Sequence, residues 1–203
     1  MEIFLVVFYS YISGSIPFGL ILTKLFSSID IRKIGSGNIG ATNVLRTGNK
    51  FLASLTLILD ILKGYIPIAL TINYYTDHIQ LAALLCFLGH IFPIWLKFKG
   101  GKGVATYLGI LLSLSYSLGL LFIFVWIVVA LIFRYSSVSS MFASLTVFIV
   151  TIFRENAVKA INPDFIFDIE IKLLLFILLI LIIFTHQKNI TNLKNGTEEK
   201  IKL

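Results

Sequence analysis

The sequence predicts an all-α integral membrane protein of seven transmembrane helices, with the N-terminus outside and the C-terminus in the cytoplasm. Three observations predict it. The 203 residues are 58% hydrophobic and only 13% charged, with a mean hydropathy of +0.96, whereas a soluble domain carries roughly a quarter charged residues. The apolar residues gather into segments at about 3–26, 51–74, 79–96, 104–133, 138–153 and 169–185, and most of these approach the length of one crossing. The basic residues, finally, sort by side. If 104–133 is a hairpin turning between Ser113 and Leu118, then Lys24, Arg32, Lys33, Arg46, Lys50, Lys97, Lys99, Lys102, Arg134 and the lysines of the tail share one face. Only Arg154, Lys159 and Lys172 lie on the other, with Lys63 inside the membrane. Length slightly favours a single long fourth span over two short ones, but that would move Arg134 and the basic tail outside. Charge decides for the hairpin.

The reading is one membrane domain over 1–203, with cytoplasmic loops at about 27–50, 97–104 and 134–138 and a cytoplasmic tail at 186–203. Its first segment contains Ser13-Gly14-Ser15-Ile16-Pro17-Phe18-Gly19, where small residues predict close helix packing and Pro17 a kink. No signal peptide is evident, because Glu2 stands where a basic region belongs and Lys24 follows the apolar stretch. The lone Cys86 excludes an intramolecular disulfide and reads as a buried, inert thiol. A net charge of +7 reports topology in such a chain rather than nucleic-acid binding. The loop 154–168 is expected outside and carries no recognisable chemistry.

Between the first two segments lies Gly35-Ser36-Gly37-Asn38-Ile39-Gly40-Ala41-Thr42-Asn43-Val44-Leu45-Arg46-Thr47-Gly48. Its glycines let backbone N–H groups approach a ligand. Ser36, Asn38, Thr42 and Asn43 add short hydrogen-bonding side chains, and Arg46 a fork suited to phosphate or carboxylate. That is the chemistry of an anion cradle. The spacing Gly35-x-Gly37-x-x-Gly40, with Asp60 twenty residues on, also matches a dinucleotide fingerprint. Its context is wrong: an apolar segment and no strand precedes the glycines, and Asp60 lies inside the next span.

Gly100-Gly101-Lys102-Gly103 is the second such stretch. Gly103 stands where the magnesium-binding hydroxyl of a Walker A loop would follow Lys102, so it is not one. It still suits a phosphate, with flexible backbone, one cation and a following helix. In the seven-span topology the second, fourth and sixth helices begin in the cytoplasm, after the glycine stretch, the glycine-lysine loop and Ser136-Ser137-Val138-Ser139-Ser140. Helix N-termini fronted by Gly or Ser favour anions, and Arg46, Lys102 and Arg134 lie alongside.

Asp60 and Lys63, spaced i, i+3 inside the second segment, are costly charges that point to function by default. A structural ion pair supporting the cradle accounts for them equally well. His90 reads first as a packing histidine, with a catalytic base as the alternative. His186, one helical turn before Asn189, is placed to act as a base near neutral pH or to be a plain interfacial histidine. No carboxylate cluster suits Mg²⁺, which argues against a metal-dependent CDP-alcohol phosphotransferase, and no metal or cofactor is expected. The His-x₄-Asp pattern of common glycerolipid acyltransferases is absent after His78, His90 and His186. An anion transporter is the rival class, but it predicts inverted repeats and midplane polar groups from both halves. Neither is found.

Taken in order, Gly35-Ser36-Gly37-Asn38…Gly40-Ala41-Thr42-Asn43-Val44-Leu45-Arg46, Asp60-Ile61-Leu62-Lys63-Gly64, Gly89-His90…Phe92-Pro93…Gly100-Gly101-Lys102-Gly103-Val104-Ala105-Thr106, Arg134-Tyr135-Ser136 and His186…Asn189-Ile190 resemble the motifs of the bacterial acyl-phosphate-dependent glycerol-3-phosphate acyltransferases. The resemblance implies a seven-helix, N-out enzyme of the bacterial inner membrane, with its site at the cytoplasmic face. It would move a fatty acyl group from acyl phosphate to the 1-position of glycerol 3-phosphate, giving lysophosphatidic acid and phosphate. It makes Ser36, Lys102, His186 and Asn189 catalytic. Ser36 and the loop Gly100, Gly101, Lys102, Gly103 would hold acyl phosphate. Arg46, Ser139, His186 and Asn189 would serve glycerol 3-phosphate, with Gly37, Asn38, Gly40, Thr42 and Asn43 lining the cradle and Asp60, Lys63 and His90 in support. Either His186 or a substrate phosphate oxygen would take the hydroxyl proton. Two positions depart from the family: Ile39 replaces the usual proline, implying a less rigid loop, and Asn192 the usual arginine, removing a charge from the tail.

Overall fold

The computed structural model describes residues 1–161 and 171–201, and every regular element among them is helical. The chain divides into two compact units, Met1–Gly119 and Leu120–Leu203.

In the first unit, α1 (Glu2–Ser15) and α2 (Phe18–Ser27) meet at a 41° bend, the break that Pro17 forces by lacking an amide proton. A 3₁₀ turn (Ile31–Lys33) and a single-turn α3 (Ala41–Leu45) lead into the long α4 (Lys50–Tyr74). Asn49 caps α4, its side chain accepting from the Leu52 amide at 3.0 Å, the standard remedy for unpaired first-turn amides. Then come α5 (Ile79–Ile91), a 3₁₀ turn (Ile94–Leu96) and α6 (Val104–Leu114). The apolar stretch 104–133 breaks at Ser115, whose extended backbone (φ −163°, ψ 113°) parts the 11 residues of α6 from α7 (Tyr116–Phe133).

Glycines set this unit's packing. A Cβ at Gly14 would fall inside the Cys86 carbonyl, one at Gly64 inside that of Thr106, and one at Gly109 inside that of Ile61. Backbones of α1 and α5, and of α4 and α6, therefore lie in direct contact, the arrangement that small residues permit between membrane helices. Below the loops, Leu20, Leu22, Ile31, Ile39, Val44, Leu52 and Ala53 form a buried cluster, and Leu96 packs against it.

The second unit holds α7 from Leu120 onward, α8 (Ser136–Ile161), α9 (Lys172–Thr185) and α10 (Gln187–Lys194), the last two bent by 53° at His186. Phe148 of α8 and Phe176 of α9 pack with their rings tilted and centroids 5.5 Å apart. The expected loop 154–168 is helical as far as Ile161, since Ala157, Lys159 and Ala160 are strong helix formers. Its remainder lies outside the described residues. Likewise α8 starts at Ser136, which shortens the expected loop 134–138.

Among the described residues, four stretches are long and apolar enough to cross a membrane: Lys50–Tyr74, Thr76–Leu96, Tyr116–Phe133 and Ser136–Arg154. The two bent pairs raise the number to six, and α6 is a shorter apolar helix.

Candidate active site

The glycine stretch is organised by Asn43, a buried residue on α3. Its amide nitrogen lies 3.0, 3.0 and 2.8 Å from the carbonyl oxygens of Ile31, Ile34 and Asn38, which accept from it, while its Oδ1 accepts from the Ser36 amide at 3.1 Å. One side chain thus pins four points of a loop that has no ladder of its own. Gly35 (φ +51°) and Gly37 (φ +72°) supply the left-handed turns that other residues resist. A Cβ at Gly35 would also meet Asn43 Oδ1 and the Arg46 chain. Gly40 has open space where a Cβ would stand, so its lack of a side chain serves something other than packing. Ser36 and Asn38 are half-buried, Thr42 and Arg46 exposed, and the buried Oδ1 of Asn38 has no hydrogen-bond partner. Ile39 stands where the family usually has proline. Its side chain sits in the cluster under the loop, and its carbonyl abuts the space left by Gly19 of α2.

Arg32, at the loop's edge, is occupied by Asp30, with Nε at 2.9 Å and Nη2 at 2.6 Å from the carboxylate. That guanidinium holds the Asp30 carboxyl well below the usual carboxylate range.

The glycine-lysine loop folds onto His90. The Gly100 amide donates to the Ile91 carbonyl and the Gly101 amide to the His90 carbonyl, both at 3.1 Å. A Cβ at Gly100 would strike that His90 carbonyl, and one at Gly101 the imidazole ring. His90 Nδ1 lies 3.1 Å from Thr106 Oγ1, and the ring is buried. The buried His90 ring thus shapes the loop. Gly103 (φ +82°) turns the chain into α6 against the Phe87 ring, and Lys102 between them is half-buried.

Asp60 and Lys63 form a buried ion pair at 2.7 Å. Lys63 Nζ also donates to the Ile16 carbonyl at 2.6 Å, one residue before Pro17. The pair thus reaches the α1–α2 break, a partner sequence spacing does not indicate.

In the second unit, His186 and Asn189 flank the α9–α10 bend, both buried. His186 Nδ1 lies 2.7 Å from the Ile182 carbonyl; a carbonyl only accepts, so Nδ1 carries the proton and the lone pair of the neutral ring sits on Nε2. Asn189 Nδ2 donates to Glu198 Oε1 at 2.6 Å. The Ser137 hydroxyl donates to the same oxygen at 2.9 Å, and Asn192 Nδ2 reaches Oε2 at 3.5 Å. Ser139 is buried on α8 with its hydroxyl turned to the Tyr135 carbonyl at 2.9 Å. Sequence reasoning missed Glu198. The available signal was Gly196 (φ +70°), which reverses the chain just before it.

The family model described as glycerol-3-phosphate acyltransferase matches residues 4–196. A glycerol-3-phosphate acyltransferase of Pelagibacter ubique is 52% identical over 203 residues, covering 100% of both chains. One of Brucella anthropi is 50% identical over 193 residues, covering 95% of this chain and 90% of that one. Among solved structures, the glycerol 3-phosphate form of PlsY (YgiH), an integral membrane glycerol 3-phosphate acyltransferase, is similar with a TM-score of 0.88 and 33% identity. It covers 100% of this chain and 96% of its own. The lysophosphatidic acid form of the same protein gives 0.86. This chain belongs to the glycerol-3-phosphate acyltransferase family, as an integral membrane acyltransferase of phospholipid biosynthesis.

Proposed function

We propose that the enzyme transfers a fatty acyl group from acyl phosphate to the 1-hydroxyl of glycerol 3-phosphate, releasing lysophosphatidic acid and phosphate. The observation that carries the reading is the glycine-lysine loop. It sets one cation, Lys102, at the start of an apolar helix, which suits a phosphate whose alkyl chain stays in the bilayer.

In this reading Ser36 and Lys102, with Gly100, Gly101 and Gly103, hold the acyl phosphate. Arg46, Ser139, His186 and Asn189 serve glycerol 3-phosphate, and Gly37, Asn38, Gly40, Thr42 and Asn43 shape the cradle. The acceptor oxygen bonds to the acyl carbon, the carbon–oxygen bond to phosphate breaks, and phosphate departs with that electron pair. Phosphate leaves readily, so orientation and donors for the developing oxyanion carry the catalysis, with no covalent nucleophile. The hydroxyl proton goes to His186 Nε2 or to a phosphate oxygen. His186→Gln separates the two: if the ring is the base, kcat collapses; if it only positions, the amide retains most of the rate.

The enzyme is a single bacterial inner-membrane domain of seven spans, with α6 as a short fourth span and the loops around 27–50, 97–104 and 134–138 in the cytoplasm. Single cysteines at Ser115 and Asn195, in a Cys86→Ser background, label from opposite sides of the membrane; same-side labelling refutes the topology. For the activity, purified protein is given glycerol 3-phosphate with palmitoyl phosphate or palmitoyl-CoA. Lysophosphatidic acid and phosphate form only with the former, and turnover of the thioester alone overturns the donor assignment.

A further inference from the structure

We propose that Lys63 is the positioning residue of the glycine stretch 35–46, acting through the break between α1 and α2; this rests on the reading of that stretch as a substrate cradle. Helix α1 stops at Ser15 and α2 begins at Phe18, so the backbone between them lacks a helix's own restraints. The ammonium of Lys63 supplies one. It donates to the Ile16 carbonyl at 2.6 Å, pairs with Asp60 at 2.7 Å and lies 5.7 Å from the Phe18 ring centroid. Both charged side chains are almost fully buried, so these contacts escape the solvent screening that weakens surface pairs.

From that point the path to the loop is direct packing. One residue after Phe18, Gly19 admits the Ile39 carbonyl where a Cβ would stand. Leu20 and Leu22, next on α2, bury against Ile31, Ile39 and Val44. The loop bearing Ser36 and Arg46 therefore rests on α2, and the direction of α2 follows from where the Ile16 carbonyl is fixed. The glycine-lysine loop is fixed otherwise, by the His90 and Ile91 carbonyls. Losing the ammonium should thus disturb Arg46 and Ser36 together and spare the glycine-lysine loop, which still holds the acyl phosphate through Lys102.

The test is the double variant Asp60→Asn/Lys63→Met, which leaves no unpaired buried charge, alongside Gly19→Ala, which pushes Ile39 off α2 with the ion pair intact. Each is purified, checked for folding by thermal denaturation, and assayed with each substrate varied in turn. Positioning predicts that both raise the KM for glycerol 3-phosphate at least about fivefold and lower kcat, while the KM for acyl phosphate, which loses Ser36 but keeps Lys102 and its loop, rises less. The triple variant should be no worse than the poorer of the two, because both cut one path. Unchanged KM values with kcat merely following the folded fraction overturn the proposal. A rise in the acyl phosphate KM alone also overturns it, making Lys63 a ligand cation. Should the double variant not fold, Asp60→Asn/Lys63→Gln is read by the same criteria. Arg46→Ala tests the cradle reading by itself: where it raises the KM for glycerol 3-phosphate, ion-pair and Gly19 variants that behave as wild type count against Lys63 alone.

Discussion

The carbonyl oxygen of Lys63 stands one helical turn before Pro67, the residue that has no amide proton to give it. Ser13 of α1 and Cys86 of α5 donate to it instead, at 3.0 and 3.2 Å. The thiol expected to be inert filler is a hydrogen-bond donor at a three-helix junction. Cys86→Ala and Ser13→Ala should each destabilise by about 1 kcal/mol, and removing both should add the desolvation cost of a bare carbonyl, about 1–3 kcal/mol. Cys86→Ser should be nearly neutral. In a Pro67→Ala background, where the amide returns, these losses should shrink. Thermal denaturation in detergent gives the cycle; costs indifferent to Pro67 would refute the patch.

Asn43 faces carbonyls with its amide nitrogen, so charge and donor count can be separated there. Asn43→Ala should cost about 1–3 kcal/mol through carbonyls left without a donor. Asn43→Asp should cost more, because it sets a carboxylate against them. Loss of kcat/KM should accompany loss of stability in both. An aspartate variant as stable and active as wild type would remove Asn43 from the loop's architecture.

Arg46 and Lys102 are assigned to different phosphates. Removing one charge-assisted contact should cost about 1.5–3 kcal/mol, or roughly ten- to a hundredfold. Arg46→Ala should chiefly raise the KM for glycerol 3-phosphate, and Lys102→Met that for acyl phosphate. Arg46→Lys should rescue only in part, since a point charge cannot replace a bidentate fork. Equal kcat losses with unchanged KM values would mean the cations act on the transition state instead.

Glu198 gathers the Ser137 hydroxyl and the Asn189 amide beside the first turn of α8, where a carboxylate also gains from the helix dipole. Glu198→Ala should destabilise the second unit by about 1–3 kcal/mol. Glu198→Gln, which keeps an acceptor, should recover part of that. Hydrogen exchange at α10 amides should quicken in the alanine variant; unchanged protection would show that the tail contact is dispensable.

The helical class and most segments were legible because apolar runs and their flanking charges are local properties. Pro17 and the small residues around it announced a bend and close packing. Ser113, Ser115 and Ser117 mark where the stretch could break, but only charge asymmetry chooses a hairpin over one long span. Glycines marked both loops but not their purposes: Gly40 and Gly101 read alike in sequence, yet one has open space and the other an imidazole where a Cβ would stand. Sequence pairs Lys63 with Asp60 but not with Ile16, and leaves His90 without Thr106, because those partners lie far along the chain. Glu198 escaped notice because an acid in a polar tail carries no local pattern.

The backbone contacts at Gly14, Gly64 and Gly109 also bear on how this enzyme meets bilayers of different thickness. A helix that touches its neighbour through side chains can tilt or slide by repacking them; one that touches through bare carbonyls has no such slack. The pairs α1–α5 and α4–α6 must then tilt as blocks, so the lipid, by thinning or thickening around them, absorbs the mismatch. Turnover in vesicles of graded acyl length should accordingly vary little in the wild type.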